Sequence, residues 1–219
     1  MLAVIDYRAG NLTSVRLACQ SIGVEAEITS NPDTILLAER VIFPGVGAAG
    51  AAMRTLESLG LVRVIKRVAA KGTPFLGICL GSQIILEQSE EDEGTRCIGL
   101  IPGMVRRFRP RDRWTKIPHM GWNSVRRTQE HPLLQGVEDA SEFYFVHAYY
   151  PDVPDPACVL GRTEYAGVAF PSIIARGNVV AAQFHPEKSG RVGLRLLENF
   201  AHWNPSPRDG NAGPSARQP

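Results

Sequence analysis

A chain of 219 residues, 44% hydrophobic and 21% charged, has apolar material for one sizeable core and the composition of an ordinary globular protein. Its 24 lysines and arginines against 22 acids leave a net charge of +2, which gives no electrostatic case for nucleic acid or an anionic membrane as partner. Four scattered cysteines without a CxxC pair suit a reducing, cytoplasmic compartment, and no apolar run approaches the ~18 residues of a membrane span.

The N-terminus, MLAVIDYRAGN, lacks a basic leader and reads as a first strand, Leu2 to Asp6, rather than a signal peptide. Leu12, Val15, Cys19 and Ile22 then fall at helical spacings before Gly23. Strands are expected at Val24 to Ile28 and Arg40 to Phe43, the latter running into the glycine-rich PGVG of Pro44 to Gly47. Ala48 to Gly60 and Leu61 to Gly72 read as helices, each closed by a glycine. Phe75, Leu76 and Ile78 are apolar without alternation, the mark of a parallel strand covered on both faces. The expected fold class is therefore α/β, a mostly parallel central sheet with helices on both faces. Sites in such sheets lie beyond the carboxyl ends of the strands, where DYRAGN, PGVG and CLGS would meet.

The second half reads differently. Gly103 to Phe108, Glu142 to Tyr149, Cys158 to Tyr165, Val168 to Arg176 and Val179 to Phe184 look like strands with few helices between, with a hairpin at Arg176-Gly177-Asn178. Ser189 to Trp203 closes the unit as a helix. From Asn204 the chain is rich in Pro, Gly, Ser and Asn, so residues 1–203 are expected as one domain and 204–219 as a disordered tail.

The stretch GICLG places Cys79 between strand and helix, the thiol version of a nucleophile elbow. A helix start there favours thiolate, and the Leu80 amide is left free for an oxyanion. Cys79 as a small buried hydrophobe is the alternative, and it is the reading for Cys19, Cys97 and Cys158. A thiolate nucleophile needs a histidine and an acid to orient it. QFHPEKS supplies His185 and Glu187, two residues apart and hence on one side of an extended chain. His131 and His202 read as surface residues; His119 and His147, in aromatic-rich PHMGWN and FYFVHAYY, stay open. Spacing excludes a metal site and a phosphate loop, and the amides of Gly45 to Gly47 suit an oxyanion wall.

PGVG, GICLGSQ and QFHPEKS, in that order and at these separations, resemble the class I glutamine amidotransferases with their Cys-His-Glu triad. DYRAGNLTSV, PHMGWN, FYFVHAYY and HPEKSG are similar to the branch that supplies imidazole glycerol phosphate synthase in histidine biosynthesis. The resemblance implies a flavodoxin-like fold and a Cys79 that attacks the side-chain amide of glutamine, with His185 carrying the proton and Glu187 orienting it. It implies oxyanion or gating roles for Val46, Gly47 and Leu80, and glutamine contacts from Gly45, Gln83, His147, Ala148 and Tyr149. Ammonia would pass to a (β/α)8-barrel cyclase subunit in a heterodimer, with Arg8, Asn11 and Lys188 at the interface; no cofactor, metal, nucleic acid or membrane is implied.

Three positions depart from the family pattern: Arg8 replaces a glycine, Ser82 a methionine and Ala148 a hydroxyl residue. The competing readings are a glutaminase for a pyridoxal phosphate or anthranilate synthase, a noncatalytic binding subunit with a relic elbow, and a cysteine peptidase on the same fold. DYRAGN and PHMGWN speak against the first, and the intact Cys-His-Glu set against the second. The third needs an open cleft for a peptide chain.

Overall fold

The computed structural model describes residues 1–8, 11–110 and 112–205. The first half alternates strand and helix: β1 (Leu2–Ile5), α1 (Leu12–Ser21), β2 (Ala26–Thr29), α2 (Pro32–Leu37), β3 (Arg40–Gly45), α3 (Ala49–Ser58), α4 (Leu61–Ala70), β4 (Phe75–Cys79) and α5 (Leu80–Ile84). The second half is strand-rich: β5 (Gln88–Ser89), β6 (Thr95–Arg96), β7 (Met104–Arg107), β8 (His119–Arg127), β9 (Ser141–His147), β10 (Tyr149–Asp152), β11 (Val159–Tyr165), β12 (Val168–Arg176) and β13 (Val179–Ala182), closed by α6 (Gly190–His202).

Among the described residues, nine strands join in the order β2-β1-β3-β4-β13-β12-β11-β8-β9, and β10-β7-β5-β6 form a second, four-stranded sheet. Pairing is parallel from β2 across to β13 and antiparallel from β13 to β9. Both faces of the parallel part are covered, because successive side chains point to opposite sides. Ala3, Ile5, Val41, Phe43 and Phe75 meet α2, α3 and α4 in one core; Leu2, Val4, Ile42 and Leu76 meet α1 and α6 in the other. Helix α4 shows the sequence logic: Leu61, Val64, Ile65 and Val68 recur at one-turn spacing and are its buried residues. Each such side chain contributes about 1.5–3 kcal/mol through burial.

The sequence reading omits four elements. Helix α2 is only six residues long, nucleated by Pro32 and by an Asn31 side chain that accepts from the amides of Asp33 and Thr34. Strand β8 contains glycine, asparagine and two arginines and lacks a clean alternation, and β5 and β6 have two residues each. The expected strand from Glu142 to Tyr149 breaks at Ala148 into β9 and β10, which belong to different sheets. Most of the expected tail, residues 206–219, lies outside the described residues. At its start, the Arg40 guanidinium donates to the Trp203 carbonyl and to Asn204 Oδ1, the latter at 2.8 Å.

Candidate active site

Strands β1, β3 and β4 lie side by side and end together, at Ile5, Gly45 and Cys79. Cys79 is the last residue of β4 and the residue before α5, with φ 54 and ψ −111, outside the region that L-residues favour. The two glycines of GICLG make this turn possible. A Cβ on Gly77 would lie 2.9 Å from the Gly81 carbonyl oxygen, and one on Gly81 would lie 2.0 Å from that of Phe43, so any larger residue would lift α5 off the sheet. Because α5 has only five residues, the dipole support expected at Cys79 comes from little more than one turn, and the charge partner of the sulfur is a side chain.

That side chain is His185. After β13 the chain turns so that the His185 amide donates to the Tyr144 carbonyl of β9 at 2.9 Å, and the Ser189 hydroxyl, donating to the His185 carbonyl at 2.6 Å, pins the turn. His185 Nδ1 pairs with Glu187 Oε1 at 2.8 Å, and both side chains are almost fully buried. Its Nε2 has no well-formed hydrogen bond among the described residues. Burial alone would lower the proton affinity of this ring. The Cys79 sulfur and the Glu187 carboxylate outweigh it and push the pKa up to about 10, so the imidazolium is stabilised between two acidic groups. Cys19 and Cys97, by contrast, are raised by burial to about 11, as inert buried thiols.

A cavity of about 370 Å³ opens over Cys79. Val46, Gly47, Leu80, Gln83, His147, Ala148, Tyr149 and His185 line it, so the structure brings the expected triad, oxyanion wall and most of the glutamine contacts to one place. Gly45 is absent from the lining and is packed below it, where a Cβ would fall 2.7 Å from the Tyr7 hydroxyl. Arg8, Asn11 and Lys188 are exposed and outside the cavity; α1 packs against the turn that carries Lys188. The lining also includes Glu91, Pro118 and Val146, which the sequence reading missed. Glu91 Oε2 accepts from the Ala49 amide at the start of α3 at 2.7 Å; its signal was the acidic run EEDEG, which reads as ordinary surface charge. Gln183, also missed, accepts from Gln83 Nε2 at 2.9 Å and reaches Cys79 Sγ at 4.0 Å.

Two histidines line this cavity, and their hydrogen bonds tell them apart. His147 Nε2 is engaged by His119 Nδ1 at 3.0 Å, and His147 Nδ1 by the Tyr149 carbonyl at 2.7 Å. Both nitrogens are committed, and burial holds His147 at about 3 and His119 at about 4, so both rings are neutral. Only His185 presents an uncommitted nitrogen beside the sulfur. Among the described residues no group of three or more His, Cys, Asp or Glu could hold a metal ion, and no helix is long and apolar enough to cross a membrane.

The departures from the family pattern have local accounts. The Ser82 hydroxyl donates to the Cys79 carbonyl at 2.7 Å, so this buried serine braces the turn. Ala148 keeps the backbone carbonyl that accepts from the Phe108 amide at 3.1 Å. Arg8 takes the left-handed conformation, φ 67, that a glycine would adopt without strain.

The family described as Glutamine amidotransferase class-I matches residues 3–203. The imidazole glycerol phosphate synthase subunit HisH of Desulfovibrio desulfuricans is 52% identical over 205 residues, covering 91% of this chain and 93% of that protein. The subunit of the same name from Chloroflexus aurantiacus is 46% identical, covering 93% and 96%. A crystal structure of a glutamine amidotransferase superposes with a TM-score of 0.70 at 17% identity over 91% of this chain and 98% of that one. PurLQS from Thermotoga maritima does so with a TM-score of 0.69 at 19% identity, covering 91% and 96%; at these identities the likeness concerns the fold.

Proposed function

Because this chain belongs to the class I glutamine amidotransferases, we propose that it is the glutaminase subunit of an imidazole glycerol phosphate synthase, releasing ammonia from glutamine for histidine biosynthesis. The observation that carries the chemistry is a cysteine on a strained strand-to-helix turn, facing a cavity that it shares with a histidine whose second nitrogen is paired to a buried carboxylate.

In this reading the thiol proton of Cys79 already rests on His185, and Cys79 Sγ attacks the side-chain amide carbon of glutamine. The oxyanion is met by the Leu80 amide and by the backbone of Val46 and Gly47. Collapse of the tetrahedral intermediate breaks the C–N bond, and His185 returns the proton to the departing ammonia. Water, deprotonated by the same ring, then attacks the thioester carbon; glutamate leaves and the thiol is restored. Glu187 keeps the imidazole in the tautomer whose Nε2 faces sulfur.

Ammonia passes to a (β/α)8-barrel cyclase that forms imidazole glycerol phosphate and aminoimidazole carboxamide ribotide. Arg8, Asn11 and Lys188, all exposed, face that partner, and Trp122 of β8, exposed and against the same Tyr144 ring that Lys188 approaches, joins them. The reading takes residues 1–203 as one catalytic unit in the cytoplasm, which four unpaired cysteines support. A Gly45–Gly47 segment able to turn its amides into or out of the cavity would couple glutaminase rate to cyclase occupancy.

The test is to mix the chain with the barrel cyclase and glutamine and measure glutamate with and without the cyclase's ligand. Ligand-dependent glutamate release, abolished by Cys79→Ala at unchanged melting temperature, supports the reading. Hydrolysis that survives Cys79→Ala removes it.

A further inference from the structure

Beneath the cavity wall runs a chain of side chains that the proposed triad does not use. Asn123 Nδ2 donates to the Glu164 carbonyl at 3.0 Å and lies 3.2 Å from His119 Nε2; Asn123 Oδ1 accepts from the Ser124 amide at 2.8 Å. These partners fix the amide's orientation, because the reversed one would face oxygen against oxygen. His119 Nε2 must therefore accept, which puts its proton on Nδ1, facing His147 Nε2 at 3.0 Å. His147 Nε2 then accepts as well, and its proton sits on Nδ1, donating to the Tyr149 carbonyl at 2.7 Å. That carbonyl also accepts from Gln83 Nε2 at 2.9 Å, and Gln83 in turn donates to Gln183, which reaches Cys79. The Tyr149 carbonyl accepts from both sides, so it requires the proton on His147 Nδ1 just as Asn123 requires the one on His119 Nδ1, and the two ends agree on a single polarity.

Resting on the glutamine pocket proposed above, we infer that Asn123 and His119 are positioning residues of that pocket, and that their relay fixes His147, the Tyr149 carbonyl and Gln83 in the one arrangement that holds substrate. The relay starts on β8, the strand whose opposite face exposes Met120 and Trp122, so it ties that outer surface to the wall of the site. The rings are packed for rigidity: His119 is stacked 3.9 Å from Tyr165 and 4.8 Å from Phe145. Neutral rings suit the role, since a proton on either would set donor against donor.

Histidine ¹⁵N spectra of the full chain at neutral pH read the polarity directly. His119 and His147 should both be neutral with the proton on Nδ1, the minor tautomer of a free imidazole. A proton on Nε2 of either ring, or a charged ring, overturns the inference. Two variants read the consequence. His119→Phe keeps the stacked ring and deletes both bonds. Asn123→Asp keeps the shape but replaces the donor with an acceptor, which should move the His119 proton to Nε2. In both, the KM for glutamine should rise by about tenfold, the loss expected for one hydrogen bond. The kcat should change less than about threefold and alkylation of Cys79 by iodoacetamide should be unchanged, as the triad is untouched. An unchanged KM in both, or a loss confined to kcat, overturns the positioning role. A wild-type complex with the liganded cyclase that released no glutamate would remove the proposed function instead. Glutamine binding by calorimetry, weaker in both variants or not, would then decide the role of His119.

Discussion

Glu187→Gln isolates what a charge contributes behind His185. The carboxylate meets Nδ1 at 2.8 Å, is almost fully buried, and leaves Oε2 without a partner among the described residues. Glutamine has the same shape, and its carbonyl oxygen can still accept from Nδ1–H, so the ring stays oriented. What disappears is the charge opposite the imidazolium that holds the thiol proton. A hydrogen bond to a charged group is worth about 1.5–3 kcal/mol and a neutral one about 0.5–1.5 kcal/mol. The difference, about 1–1.5 kcal/mol, corresponds to a kcat lowered by about five- to tenfold with little change in KM. The assay is glutamate release at saturating glutamine in the activated complex, with the His185 ring titrated by NMR; its pKa should fall in the variant. A loss beyond about a thousandfold would mean the carboxylate does more than orient and stabilise, and no loss would mean that the pair is structural.

The raised His185 pKa also predicts how stability depends on pH. A group held above its unfolded value contributes stability that is complete below the ordinary histidine value of 6.5 and is lost as pH rises through about 10. Melting temperature should fall more steeply over that window in wild type than in His185→Asn; parallel curves would remove the ion-pair reading. Gly81→Ala should destabilise the fold by about 1–3 kcal/mol and reduce turnover further, because its methyl would press on the Phe43 carbonyl and shift the Leu80 amide. A native melting temperature with native turnover would show that α5 can give way. Arg8→Gly should stabilise by about 0.5–1 kcal/mol, the left-handed strain of about 1–2 kcal/mol less the added freedom of glycine. Urea unfolding measures it, and a loss of stability would show that the arginine side chain holds contacts.

The parallel half was legible because burial on both faces writes itself as uninterrupted apolar runs, and glycines mark where helices close. The triad candidates were legible for a related reason. A nucleophile at a tight turn needs small neighbours, and His185 and Glu187 are close in sequence as well as in space. Strand β8 was not legible, since its Met120 and Trp122 face outward while the inward positions carry the polar His119, which is buried, and Asn123, which is half-buried, both engaged in hydrogen bonds. Glu91 and Gln183 were hidden by the same limit. A polar side chain that lines a cavity, as Glu91 does, or is buried beside one, as Gln183 is, looks in sequence like one that faces water, and only the crossing of distant segments distinguishes them. The break at Ala148 escaped because both of its flanks favour extended structure, and it is the second sheet that claims β10.

The two halves supply different things to the cavity, and this bears on how a partner could control it. Cys79 stands on a strand with parallel neighbours on both sides and a helix-covered core above and below it. The wall opposite comes from β9 and the start of β10, at the far edge of the antiparallel extension, where the chain leaves one sheet for another. His185 is attached to both, following β13 in sequence and bonded through its amide to Tyr144 of β9. A partner resting on the exposed side of β8 would therefore press on the wall and on the His185 turn before it could disturb the nucleophile. Control of such a site by displacing its wall or its oxyanion loop leaves the sulfur equally reactive in the slow and fast states. Alkylation of Cys79 should accordingly be indifferent to the cyclase's ligand while glutamine hydrolysis is not, and an alkylation rate that rises in step with hydrolysis would place the control at the nucleophile instead.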